Sequence, residues 1–338
     1  MVLIVCYLTL FGLTACKTNT ANKKVDVSNV KVDYKSIRFD KELYACDTNK
    51  LEMEVNTLGN KYPDFASIYF NELTGFAKTD DNGLFINSVY HFLTYKDYRA
   101  LFDTVFLRFP DVKAIDAEML DLFKHIKYYF PEKKLGTVYY FTTGLNFWSA
   151  VTVDSAVGIG LDMYLGKQYP FYASVQIPAY QIERCEREYI PVNAAKAIYE
   201  DMYEFNAEGK TLLDLMIIKG KEQLFLEYTM PDKKEDLLIG YTPTQLKWCL
   251  DNEGMIWSYF AKQKLLYSTH WQQILRYVND GPNSTGMPPE SPGNIGTFIG
   301  WQIVRKYLEE HPEKKWTDLL NDKTDSQALL REAAYKPH

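Results

Sequence analysis

The chain has 338 residues, 46% of them hydrophobic, which is ample for one large core or two smaller ones. Its formal net charge of −6 argues against a nucleic-acid partner, because a phosphate backbone calls for a basic patch. None of the five cysteines pairs with another at metal-ligand spacing, and the three beyond the N-terminus (Cys46, Cys185, Cys249) allow at most one disulfide.

Val2 to Leu13 is almost wholly apolar and uncharged, yet shorter than the ~20 residues of a bilayer-spanning helix. Residues 1–15 read as a secretion signal, although no Lys or Arg precedes the apolar run as such leaders ordinarily require. Leu13-Thr14-Ala15-Cys16 sets a large aliphatic residue and two small ones before a cysteine. This resembles the bacterial lipobox, which implies cleavage before Cys16 and fatty acyl chains such as palmitate on its thiol. Two or three chains hold a protein stably on a membrane, where one does so marginally. The polar stretch Lys17–Lys24 has nothing to pack against, so residues 16–30 are expected to be a flexible tether and residues 31–338 one domain.

Val32–Phe39 alternates like a strand. Leu43–Leu58 and Leu84–Phe106 carry helical spacing. Asp116–Phe130 is a clearer helix, with Asp116 as cap and Pro131 as terminator. Gly136–Thr142, Ala150–Val153 and Val157–Leu161 are β-branched and aromatic runs divided by turn residues, and suit neighbouring strands. Beyond Pro178 the spacing turns helical over Val192–Phe205, Thr211–Tyr228, Pro243–Leu266 and Ile295–Glu310, with Thr211 and Thr242 as caps. A small sheet followed by packed helices predicts an α+β fold. The three cysteines fall in amphipathic segments and are expected as buried free thiols. The 26 tyrosines suit either a binding surface or a compositional bias that enriches core and surface alike.

The chemical motifs sought do not occur. Five histidines form no H-E-x-x-H pair, and there is no G-x-S-x-G elbow, phosphate loop or dinucleotide fingerprint. No catalytic residue, metal ligand or cofactor is therefore assigned. The carboxylates Glu183, Glu186, Glu188, Glu200, Asp201 and Glu204 read as solvated helix faces. The most distinctive segment runs from Glu290 to Val304. In it Ser291 or Asn294 can cap a helix, and Pro292 and Gly293 form the turn before it. Gly296 and Gly300 leave a bare stripe beside Trp301. This is a motif for tight helix packing or, less favoured, for an anion at a helix N-terminus.

Six segments in order resemble the gliding-motility lipoprotein family GldB of Bacteroidetes. They are Leu122–Pro131, Val157–Gly166, Leu237–Tyr241, Asn252–Tyr259, Leu265–Ser268 and Glu290–Arg305. The resemblance implies a lipoprotein of the cell envelope that supports motility and secretion machinery through envelope protein partners. The family is also remotely similar to zincin-type metallopeptidases. That likeness would set the Val157–Leu161 strand beside an active helix near Pro191–Glu204, which here has no histidine, as in a pseudo-peptidase. The expected function is a non-catalytic docking lipoprotein; the alternatives are a hydrolase acting on envelope peptides and a glycan- or nutrient-capturing lipoprotein. The lack of acidic residues directly after Cys16 favours the periplasmic face of the outer membrane.

Overall fold

The computed structural model describes residues 24–337. The expected signal sequence, Cys16 and residues 16–23 of the expected tether lie outside the described residues, whereas residues 24–30 lie against the body. Lys24 Nζ donates to Asp232 at 2.8 Å, Val27 is buried, and Lys127 Nζ reaches the Lys31 carbonyl at 2.8 Å.

The first half holds β1 (Lys35–Arg38), α1 (Phe39–Tyr44), α2 (Leu51–Lys61), α3 (Pro63–Ile68), α4 (Asn82–Thr94), α5 (Lys96–Arg108) and α6 (Lys113–Tyr129). Strands β2 (Thr137–Phe141), β3 (Ala150–Val153) and β4 (Ala156–Gly160) follow. Next come α7 (Phe171–Ser174), α8 (Ala179–Ile182), α9 (Ile190–Met202), α10 (Leu212–Thr229) and α11 (Glu235–Ile239). The chain then forms α12 (Pro243–Asp251), α13 (Glu253–Lys262), α14 (Trp271–Ile274), α15 (Ile295–Glu310), α16 (Trp316–Asn321) and α17 (Ser326–Glu332).

The four strands lie in the order β1-β2-β4-β3, with β1, β2 and β4 parallel and β3 antiparallel at one edge. Side chains alternate across the sheet. Tyr139, Phe141 and Val153 enter an aromatic cluster with Phe39, Phe65 and Tyr69 from α1–α3 and their continuation. Val138, Tyr140, Val157 and Ile159 enter a second core built with α6, α9, α10 and α15. The fold is mixed α+β, as expected. Many tyrosines are interior: Tyr69, Tyr140, Tyr164 and Tyr172 are among the largest fully buried side chains.

Three expected helices are each two. The first, read as Leu43–Leu58, breaks where Asp47 accepts from Asn49 N and caps a short turn before α2. The second, Leu84–Phe106, breaks at Tyr95, whose backbone is extended (φ −68°, ψ 135°). The third, Pro243–Leu266, breaks at Asn252, with α13 ending at Lys262. Local apolar spacing persists through such breaks, so periodicity alone does not show them. Thr211 and Thr242 form full capping boxes with Asp214 and Gln245. Asp116 is not a cap, because α6 begins at Lys113; its carboxylate instead accepts from Tyr34, Tyr140 and Ser36 hydroxyls at 2.7–2.9 Å. Cys185 and Cys249 are buried free thiols, while Cys46 is only half-buried. Among the described residues no helix is long and apolar enough to cross a membrane.

Candidate functional site

Helix α9 presses Ala194, Ala195 and Ile198 into the core against the β3–β4 side of the sheet. The small residues permit a close approach. The helix turns another stripe outward: Asn193, Lys196 and Ala197 are half-buried and Glu200 is exposed. These positions recur at three- and four-residue intervals, so they share one face. Asn193 Nδ2 donates to the Tyr164 hydroxyl at 2.9 Å, which in turn donates to the Ser149 carbonyl at 3.2 Å. That relay ties α9 to the chain entering β3.

Three further segments bring charge to the stripe. On α10, Lys219 Nζ meets Glu222 Oε2 at 2.6 Å and lies 5.1 Å from the centre of the Phe205 ring. Arg184, after α8, meets Asp280 at 2.6 Å. Lys196 sits in the fields of Asp280 and Glu222 but has no direct hydrogen-bond or ion-pair partner among the described residues. Burial pushes its pKa down, with those carboxylates opposing. Burial also raises Glu200, reinforced by Glu222. Burial works against the Lys219 ammonium, yet the Glu222 charge outweighs it and holds the pKa above the ordinary value. Burial opposes the Asp280 charge too, but Arg184 and Lys196 outweigh it and depress its pKa.

Beside this stripe β3 leaves one edge open. The register pairs Val151 with Gly158 and Val153 with Ala156, and Gly160 N donates to the Ser149 carbonyl. Residues 149, 151 and 153 therefore point their main-chain groups at β4, while Ala150 and Thr152 point theirs away from it. Those four outward groups have no hydrogen-bond partner among the described residues. The loop entering β3 is held from below. Asp162 Oδ2 accepts from Thr143 N at 3.0 Å and Leu145 N at 2.8 Å, and Asn146 Nδ2 donates to the Thr74 carbonyl at 2.8 Å. Burial pushes the Asp162 carboxyl up to about 6 despite these donors. Leu145 and Phe147 take left-handed backbone (φ 68° and 66°), and Phe147 and Trp148 are exposed at the head of the strand.

Apart from the exposed Glu290, the Glu290–Val304 motif lies in the interior. Asn294 occupies the N-cap of α15 with φ 60°, but its side chain makes no cap bond. Its Oδ1 is buried without a partner among the described residues. Ser291 and Ser284 hydroxyls both donate to the Pro292 carbonyl, and Tyr241 donates to the Gly293 carbonyl at 2.8 Å. A methyl on Gly296 would stand 2.8 Å from the Tyr277 carbonyl oxygen; one on Gly300 would stand 1.8 Å from that of Met216. Across the contact Gly220 of α10 faces Gly300, so the two helices cross backbone to backbone. Trp301 is fully buried, and its Nε1 donates to Glu227 at 2.8 Å.

The histidines of the described residues do not converge. There His125 pairs with Asp121, through its carbonyl and carboxylate, and His311 Nδ1 contacts the Tyr307 carbonyl. Among the described residues no group of three or more His, Cys, Asp or Glu is placed to hold a metal ion. Sequence reading missed Lys196, Lys219, Glu222, Arg184 and Asp280. The only local signal was the four-residue spacing of Lys196 and Glu200, which is ordinary on a solvated helix.

A family model described as gliding motility protein GldB matches residues 20–337. No curated protein and no solved structure matches the chain.

Proposed function

Because the chain belongs to the gliding motility protein GldB family, we propose that it is an envelope-anchored accessory lipoprotein that docks other envelope proteins. Its N-terminal lipid would sit on Cys16, and the residues after that cysteine favour the periplasmic face of the outer membrane. The observation that carries a docking role is the open β3 edge beside the α9 stripe. Unpaired main-chain groups at a sheet edge are a standing template for another chain. The strap from Lys24 to Tyr34 leaves few residues between the lipid site and the body, so the domain would work close to its membrane.

Crosslinking and co-purification of the intact lipoprotein from its own membranes tests this. Recovery of a defined envelope protein, together with defective motility or secretion on deletion, is expected. A deletion strain that moves and secretes normally, with nothing co-purifying, would sink it.

A second reading, a hydrolase acting on envelope peptides, draws on Lys196 and Glu200, four residues apart on the α9 stripe. It requires turnover of an envelope peptide that disappears in Glu200→Gln.

A further inference from the structure

Resting on the docking reading, we propose that the occupant of the groove is an extended segment of a partner polypeptide. It would add to β3 as a fifth strand and place an Asp or Glu carboxylate on Lys196. Three features of the groove converge on that chemistry.

The first is the edge itself. Ala150 and Thr152 offer two N–H donors and two carbonyl acceptors on the side away from β4, without partners among the described residues. Only an extended backbone matches that alternation of donor and acceptor, and strand addition is a recurring mode of peptide recognition. The second is the approach. Phe147 and Trp148, 53% and 38% exposed, stand at the head of the strand on a loop pinned by Asp162 and Asn146. An aromatic pair on a pinned loop can cover an incoming strand with less backbone left to order, which lowers the entropic cost of binding.

The third is charge. Five of the six charged groups gathered around α9 are accounted for: Lys219 with Glu222, Arg184 with Asp280, and Glu200 at the exposed, partly desolvated end of the stripe. Lys196 is left over, half-buried and without a direct anion among the described residues. A partly desolvated ammonium gains most from a carboxylate that brings its own hydrogen-bond acceptors, and such charge-assisted bonds are the stronger ones. Asn193, one turn before Lys196, is joined through Tyr164 to Ser149 at the start of the edge. Because α9 packs along β3, the stripe that carries Lys196 runs beside that strand.

The test uses the full lipoprotein in its own membranes. p-Benzoylphenylalanine replaces Trp148, an aromatic for an aromatic, and separately replaces Leu107 on α5, which is 83% exposed. Irradiation at position 148 is expected to crosslink a polypeptide other than this chain. Mass spectrometry should place the crosslink within a few residues of an Asp or Glu, and position 107 should give none of that product. Lys196→Gln should cut the yield about tenfold, Lys196→Arg should retain most of it, and Thr152→Pro should abolish it. Unchanged melting of the three variants separates loss of binding from loss of fold. The proposal is overturned by no crosslink at 148, by crosslinks to lipid or to a second copy, or by a yield indifferent to Lys196→Gln. A partner captured at 107 but not at 148 would leave docking intact and remove only the groove.

Discussion

The α10–α15 crossing and the β3–α9 groove use the same materials in opposite ways. At the crossing, Gly220 and Gly300 bring two helix backbones together, and beside them three buried polar side chains answer one another. Trp301 and Arg305 both donate to Glu227, Arg305 stacks 3.8 Å from the Trp301 ring, and its other arm reaches Glu235. At the groove, small residues again allow a close approach, but main-chain groups of β3 and the half-buried Lys196 ammonium are left without direct partners among the described residues. The first region uses these polar groups to secure the fold. The second keeps main-chain donors and acceptors available to a partner strand.

That contrast can be broken by mutation. The largest effect is expected for Glu227→Ala, which strips a buried carboxylate from Trp301 and Arg305 and should cost ~3–4 kcal/mol in urea unfolding. A loss under ~1 kcal/mol would mean the crossing is not secured as described. Gly300→Ala comes next. Its new methyl has no room beside the Met216 carbonyl, so the helices must separate, at ~2–3 kcal/mol. The Gly220→Ala loss should be similar and not additive with it, since both act at one contact.

The loop beside the groove should show itself through pH. The folded-state pKa of Asp162 is raised to about 6, above that of the unfolded chain. The folded protein therefore holds a proton that the unfolded chain has released, and stability falls as pH rises from about 4 to about 6, then levels. Asp162→Asn should remove that slope. Between pH 4.5 and pH 7 the stability of the natural protein relative to the variant should drop by ~2 kcal/mol. A parallel pair of curves would show that Asp162 is ionised freely. The smallest effect is expected at the open edge. Thr152→Pro removes an N–H without an internal partner and should cost less than ~1 kcal/mol, whereas Val151→Pro, which breaks a bond to β4, should cost several times more. Equal losses would mean that the edge is not free.

Much of the local structure was legible. Thr211 and Thr242 announce their capping boxes because cap and partner lie three residues apart, and the chain itself brings them together. The short β runs were legible from composition. Their order was not, since β1 lies parallel to β2 across five intervening helices and α6. Gly296 and Gly300 announced a close approach without naming what approaches; Gly220, the Tyr277 carbonyl and the Met216 carbonyl come from distant segments. Asp116 was misread because a cap and a buried acceptor of three hydroxyls look alike until Tyr34 and Tyr140 are beside it.

What the sequence determined alone is therefore what neighbours along the chain can enforce. This comprises the lipobox-like Leu13–Cys16, the helix caps, the alternation of strands and, through the ordered segments, membership of the GldB family. Tertiary structure decided the rest. Lys196 reads as one lysine on a polar helix face until α9, α10, Arg184 and Asp280 meet around it. β3 reads as any short strand until the sheet order leaves it at the edge. Burial and unpaired main-chain groups are properties of what surrounds a residue, and only the folded chain supplies those surroundings.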